Sequence, residues 1–495
     1  MMGAMLCLKS ALMVAALTGF GFIFVSALMR DMPLYQRISL SLPWGIMCWG
    51  VAWISVVLVF SESRYSIHES ITWNLFFLFI VSGILLIFFA LVTKVALAPR
   101  GFAWIAFVIA MLLLAVYLNL GLVYMTGDSF YLINWNYDIG LTLQEGYPLM
   151  LRAIISLSRI IDPDYYLYVI HPLVAISLTY LLFGLLIDKR FIPKRDDFGV
   201  LISGAIIIAI FSLNRAYGLQ AYYVNHHALV AIGFLSISAI MIGVGRARLS
   251  MISMVFIAFA TLAISMARME GFLFVILWLI SFAFLLYDRM QRVLLSGIVL
   301  VLNTPYIGYL IVNYWDQGFI TGKQYLLLWI GLLGSLVMFG SSLVERIYLR
   351  RAMGVSILAV LLLMLAIMLM LKPDHMIGNI FAFQVAYSNT WYWGAESHFI
   401  VLASILIWVV RLKRKEFFIE HDALFYFFVS SVILNLCITF FRAPLKTDWI
   451  DSANRVMFHF IPLILLWIGF EINRRVLSLQ RSAIFLRFRN KFSRQ

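Results

Sequence analysis

Three separated stretches carry side chains that could act on a phosphate and a hydroxyl. Asp128 follows Gly127 just past a long apolar segment, in the stretch 124–152 (YMTGDSFYLINWNYDIGLTLQEGYPLMLR), which also holds Asp138 and Glu145. Residues 265–272 read SMARMEGF and set Arg268 two positions from Glu270. Residues 442–462 read RAPLKTDWIDSANRVMFHFIP and hold Lys446, Arg455 and His459. A carboxylate can take a proton from a hydroxyl as it attacks. A guanidinium suits bidentate binding of phosphate. Arg455 and His459 are four apart, so the spacing places them on one helix face. Each group also has a plainer use: Asp128 as a helix N-cap, Arg268 and Glu270 as a pair that pins two helix ends, Arg455 and His459 as interface anchors.

The elements that must position these residues are apolar. The chain has 495 residues, 64% of them hydrophobic and 12% charged, with a mean hydropathy of +0.99. A spanning helix takes about 20 apolar residues. Such runs fall at 11–29, 43–60, 73–93, 102–123, 165–187, 198–213, 227–245, 250–267, 271–287, 291–312, 324–344, 353–371, 399–410, 423–441 and 456–473. The expected fold is an all-α polytopic membrane protein with about 13–15 transmembrane helices. Long unbroken runs exclude a β-barrel, whose strands are short and alternating. Cys7, Cys48 and Cys437 lie in or beside apolar runs without metal spacing and read as small hydrophobic residues. The first run is too long for a signal peptide core and is expected to be retained.

The net charge of +14 is concentrated in short loops, which points to membrane orientation and away from nucleic acid. Basic residues gather in 188–197 (DKRFIPKRDD), at Arg246 and Arg248, Arg289 and Arg292, Arg346, Arg350 and Arg351, and Arg411, Lys413, Arg414 and Lys415. The tail from Arg474 onward carries seven basic residues and no acid. These loops are expected on the cytoplasmic side. The outward set is then 61–72, 124–164, 214–226, 268–270, 313–323, 372–398 and 442–455, and it carries the acids, histidines, asparagines and aromatic residues. Polar groups gathered at one face favour an interfacial site over a transport path, whose polar residues lie at the midplane. Past Gly146-Tyr147-Pro148, residues 149–161 (LMLRAIISLSRII) show the pattern of an amphipathic helix in the interface. The aromatic loop 372–398, with Trp391 and Trp393, reads as an interfacial belt or as a flap over a bound sugar or lipid.

An Asp after Gly beyond a spanning helix, about eighteen residues to Gly-Tyr-Pro, and then an interfacial helix resembles the first outer loop of the GT-C superfamily of integral-membrane glycosyltransferases. The segment 265–272 resembles the Arg-x-Glu-Gly segment of bacterial members, and 442–462 resembles their late segment in which an Arg opens a helix before a Pro. The resemblance spans roughly 100–475. It implies a polyprenyl-phosphate-linked sugar donor, a glycan, glycolipid or protein acceptor, and a site on the periplasmic or extracellular face of a bacterial plasma (inner) membrane. Carried over residue by residue, it implies Asp128 as catalytic base and Arg268, Arg455 and Lys446 as donor-phosphate ligands. Substrate contacts fall to Glu270, Asn225, His226, His459, Tyr147, Trp391 and Trp393. The organisation it implies is 1–99 as about three N-terminal helices, 100–475 as the catalytic core and 476–495 as a basic tail.

One departure stands out. Where many relatives carry a second acid, this sequence reads NRAYGLQAYYVNHH and sets Asn225, His226 and His227 there. These histidines could bind a divalent metal with Asp128, hydrogen-bond the sugar or phosphate, or serve structure alone. Two other functions use similar residues. A flippase or transporter of a lipid-linked glycan would need the phosphate ligands and no base. A polymerase or ligase of surface glycans relies on basic residues in one large outer loop.

Overall fold

A computed structural model of the chain describes residues 2–28, 32–60, 150, 153–154, 163–188, 197–212, 217, 226–244, 248–268, 270–286, 288–314, 322–388, 394–414, 416, 420–441, 445 and 452–480. Among these residues the fold is helical without strands. The helices are α1 (Met2–Leu28), α2 (Leu34–Phe60), α3 (Pro163–Leu186), α4 (Asp197–Ser212), α5 (His227–Val244), α6 (Met251–Ala267), α7 (Gly271–Ala283) and α8 (Arg289–Tyr314). They continue with α9 (Gly322–Leu343), α10 (Arg346–Leu371), α11 (Pro373–Ser388), α12 (Gly394–Arg414), α13 (Asp422–Thr439), α14 (Ser452–Val456), a 3-10 turn (Met457–His459) and α15 (Ile461–Gln480). Every apolar run outside 73–93 and 102–123, which lie outside the described residues, carries a helix. Among the described residues, five helical stretches are long and apolar enough to cross a membrane.

Two helices are apolar all round and sit inside. In α5 every residue from His227 to Ala239 is buried, and in α15 so is every residue from Ile461 to Glu471. A helix with no polar face belongs in the interior of a bundle. The outer helices show the reverse pattern. Leu333, Leu336 and Val337 on α9, Leu362, Leu363 and Met370 on α10, and Val401, Leu402 and Leu406 on α12 are exposed. An apolar exterior of this kind is what lipid contact requires, because backbone groups are satisfied within each helix and side chains meet acyl chains.

The N-terminal helices share this core. α1 crosses α2 where a Cβ at Gly21 would lie 1.7 Å from the Ser41 carbonyl oxygen and one at Gly45 would lie 1.9 Å from that of Leu17. Only glycine permits that approach, as in other tightly packed membrane helices. Trp44, Trp49 and Trp53 of α2 are fully buried. Trp49 donates its indole N–H to the Ala153 carbonyl at 2.8 Å, and the Gln36 amide donates to Asp188 at 2.9 Å and to the Gly184 carbonyl at 3.2 Å. The start of α2 is therefore at the end of the bundle where the basic segment 188–197 begins.

The expected interfacial helix 149–161 is described at three positions, Met150, Ala153 and Ile154, which are helical. All three are buried in the core. Their apolar side chains thus meet protein, not the membrane interface, and Met150 helps line a small apolar cavity with Met47, Leu229, Ala263 and Ala267.

Two basic residues counted as loop charges, Arg292 and Arg411, prove to be structural. Arg292 is buried and donates to the carbonyls of Leu286 at 2.9 Å, Val344 at 2.8 Å and Ser342 at 3.4 Å. It thereby satisfies carbonyls left open at the ends of α7 and α9, where helix dipoles favour a cation. Arg411 is fully buried and pairs with Asp422 at 2.6 Å and Glu471 at 2.5 Å. His421 meets the same Glu471 at 2.6 Å, Trp467 donates to Asp422 at 3.1 Å, and Arg411 stacks over Trp408 and Trp467. This network ties α12, α13 and α15 together at one end of the bundle. Neighbouring Lys413 and Arg414 are exposed, as loop charges should be.

Candidate functional site

The opposite end of the bundle gathers the histidines. His226 precedes α5 and His227 opens it, while His459 closes the 3-10 turn before α15. Nδ1 of His227 and Nε2 of His459 are 2.8 Å apart. The three ring systems pack with centroids 4.7 Å (His226–His227), 4.9 Å (His227–His459) and 6.2 Å (His226–His459) apart. All three rings are buried, and one ligand atom from each lies within 4.8 Å of the others. Both ring nitrogens of His226 are buried without a hydrogen-bond partner among the described residues.

The guanidiniums stand beside this cluster. Arg268 and Glu270 occupy the tight connection between α6 and α7, nearly buried, with Nη2 of Arg268 2.9 Å from Oε1 of Glu270. Gly271 is required there, since a Cβ would come within 2.5 Å of the Ile264 carbonyl oxygen. The Arg-x-Glu-Gly spelling is thus a helix–helix connection so tight that its fourth residue can carry no side chain. Burial pushes the His226 imidazole well below its ordinary pKa, and the charges of Arg268 and Arg455 push the same way while Glu270 opposes them. The neutral ring is therefore the stable form. The charges of Arg268, Glu270 and Arg455 are thus all felt at one histidine.

Arg455 and His459 reach the cluster differently from their spacing. α14 ends at Val456 and a 3-10 turn follows, so the two do not share one continuous α-helical face. Pro462 is the second residue of α15 and has no N–H to donate to the turn before it, so a helix running on from α14 would lack that bond. The tighter turn swings His459 inward onto His227.

The loop 372–398, expected as belt or flap, contains helix α11. Pro373 opens it and Asp374 lies in its first turn, both favoured at a helix start. α11 holds the segment that leads to Arg455 at two points. The side-chain Oδ1 of Asn379 accepts from the Leu445 N–H at 2.8 Å, and the Tyr387 hydroxyl donates to the Asn454 backbone carbonyl at 2.6 Å. The Ser397 hydroxyl donates in turn to the Tyr387 carbonyl. Glu396, next to it, is buried with one carboxylate oxygen unbonded among the described residues, and burial pushes its pKa up to about 8. The sequence reading gave Glu396 no role; its signal was an acid directly before an apolar run.

Of the expected site residues, the structure brings together His226, His459, Arg268, Glu270 and Arg455. His227, which the sequence offered with His226 as a possible metal or substrate ligand, joins them through His459. Asp128, Tyr147, Asn225, Trp391, Trp393 and Lys446 lie outside the described residues.

Fold and site together define an all-helical protein with the long apolar helices and apolar exterior of a membrane protein, and with a buried histidine–arginine–glutamate centre at one end. Comparison with known protein families, curated proteins and solved structures returns no match to this chain.

Proposed function

We propose that the protein is a membrane glycosyltransferase of the GT-C type. It moves a sugar from a polyprenyl-phosphate donor to an acceptor hydroxyl at the outer face of a bacterial plasma membrane. The observation that carries this reading is that the charges of Arg268 and Arg455, 187 positions apart (455 − 268), both act on buried His226. Two guanidiniums at one end of an apolar bundle fit the phosphate of a lipid that enters sideways from the bilayer. Glu270 holds Arg268 in place by the 2.9 Å pair and keeps the site from being purely cationic.

In the reaction the acceptor oxygen attacks the anomeric carbon and the bond from that carbon to the phosphate oxygen breaks. The lipid phosphate leaves with the bonding electrons, stabilised by Arg268 and Arg455, and Lys446 adds a third cation. Asp128 takes the hydroxyl proton. A single in-line attack inverts the anomeric carbon. His226, His459 and the aromatic residues Tyr147, Trp391 and Trp393 contact the sugar and phosphate, and Asn225 joins them.

The test is transfer from lipid-phosphate-linked sugars to extracted cell-envelope acceptors by the purified, reconstituted protein. A new glycosidic bond, lost in a correctly inserted Asp128→Asn variant, is the expected result. Movement of the donor across the vesicle with its glycosidic bond unchanged would identify a flippase instead. Full transfer by Asp128→Asn removes Asp128 from the role of base.

A further inference from the structure

His226, His227 and His459 make up the cluster of metal-ligating side chains that comes together among the described residues. We propose that these three histidines hold a divalent transition-metal ion of the zinc class. Their ligand atoms lie within 4.8 Å of one another, and the closest pair is 2.8 Å apart. Nitrogens that share a tetrahedral zinc at about 2.0–2.1 Å stand about 3.3 Å from each other, so shifts on the order of 1 Å bring the three rings onto one ion.

The second observation is the state of His226. It is 4% exposed, and neither ring nitrogen has a hydrogen-bond partner among the described residues. Buried polar atoms in folded proteins are nearly always partnered. A hydrogen bond between His227 and His459 alone would account for two of the rings and leave the third unexplained, whereas an ion accounts for all three. The donor set fixes the class of metal. Neutral imidazole suits zinc, copper, nickel and ferrous iron, while magnesium and calcium want oxygen ligands. Glu270, whose charge acts on His226, is engaged with Arg268.

Three protein nitrogens leave a fourth position, the arrangement of zinc sites that bind water or substrate. Arg268 and Arg455 stand beside the cluster, so an anion at that position would meet the ion and two guanidiniums together. A phosphate oxygen fits this best, and water takes the place without it.

The full-length protein, purified in detergent, is tested for zinc by mass spectrometry, then stripped with a chelator and titrated with cobalt(II). The expected result is about one zinc per chain as purified and a visible absorption band of tetrahedral cobalt on titration. His226→Ala is expected to lose the band. His226→Cys is expected to bind cobalt and to add a sulfur-to-metal absorption in the near ultraviolet, which also serves if the alanine variant aggregates. A stripped, monodisperse protein that takes up neither ion at micromolar concentration overturns the proposal. So does a His226→Ala protein that binds cobalt as the wild type does, or a folded His226→Cys protein without the sulfur band. Cobalt uptake is read without any sugar donor, so its failure leaves the transferase reading standing, and failed transfer leaves the metal site standing.

Discussion

Nδ1 of His227 and Nε2 of His459 lie 2.8 Å apart although 232 positions separate them. This contact ties the start of the most buried early helix to the turn that precedes the most buried late one. Everything placed around it, Arg268 and Glu270 from one side and Arg455 from another, depends on helices whose order in the chain gives no hint of their meeting.

In the proposed reaction Arg268 serves both architecture and chemistry, and the two are separable. Arg268→Ala takes from buried Glu270 its 2.9 Å partner, and breaking a buried pair from one side costs about 3–5 kcal/mol. The double change Arg268→Ala, Glu270→Ala removes both charges and is expected to recover most of that loss in thermal unfolding. Transfer should not recover: removal of one charge-stabilising group typically lowers turnover by about 10²–10³-fold. Arg268→Lys keeps the charge without the bidentate fork and should recover transfer only in part. A double variant as active as the wild type would make Arg268 a purely structural partner.

Tyr387 braces the segment that carries Arg455. Tyr387→Phe deletes one hydrogen bond to the Asn454 carbonyl and should cost about 1 kcal/mol in stability. Its larger effect is expected on transfer per folded molecule, seen as a raised KM for the lipid donor, because Arg455 sits one residue beyond the lost contact. Equal KM in the two proteins would free Arg455 from that brace.

Glu396 makes stability depend on pH. Its carboxyl, ordinarily at 4.5, is pushed up to about 8 by burial. Between these values the folded protein keeps a proton that the unfolded chain gives up, so stability falls as pH rises through this window and levels off above about 8. Glu396→Gln lacks that component. Melting curves of wild type and variant should therefore diverge on the alkaline side, with the variant the more heat-resistant. Parallel curves across the range would place the Glu396 carboxyl in an ordinary environment.

The Arg411–Asp422–Glu471 network predicts a loss of stability without a loss of chemistry. Glu471→Gln uncouples Arg411 and His421 from their shared acid, at a cost of about 3–5 kcal/mol. Glu471 is 12 positions (471 − 459) beyond His459, about 18 Å along the helical path. Turnover per folded molecule is expected to stay near that of the wild type, measured below the variant's melting temperature.

The helices were legible because burial and lipid contact both demand long apolar runs, and the described runs became helices. The site was legible where a motif has a local cause. Arg268-x-Glu270-Gly271 is one connection between two helices, and its spelling carries the pair and the glycine together. Convergence over long separations was not legible: His226 and His227 gave no sign of His459. The reading of Arg455 and His459 by a four-residue spacing assumed a continuous helix that the 3-10 turn interrupts. Counting Arg411 as a loop charge missed the stronger signal in Glu471, an acid inside an apolar run, which is costly in a membrane and therefore implies a partner. α11 was hidden by aromatic composition, although Pro373 and Asp374 mark its start.

The tryptophan face of α2 has a consequence for the order of assembly. Chains are made from the N-terminus, so α1 and α2 leave the ribosome first and can lock at Gly21 and Gly45 with no help from the rest. Yet Trp49 needs the Ala153 carbonyl, and Trp44 packs on Phe256 with ring centroids 4.7 Å apart. The Ala153 acceptor of Trp49 is made after roughly a third of the chain (153 of 495 residues) and the Phe256 ring beside Trp44 after roughly half (256 of 495), so this hairpin offers a seam that later helices must find. The first-made pair thus acts as the template on which the middle of the chain is collected, and its tryptophans time the closure.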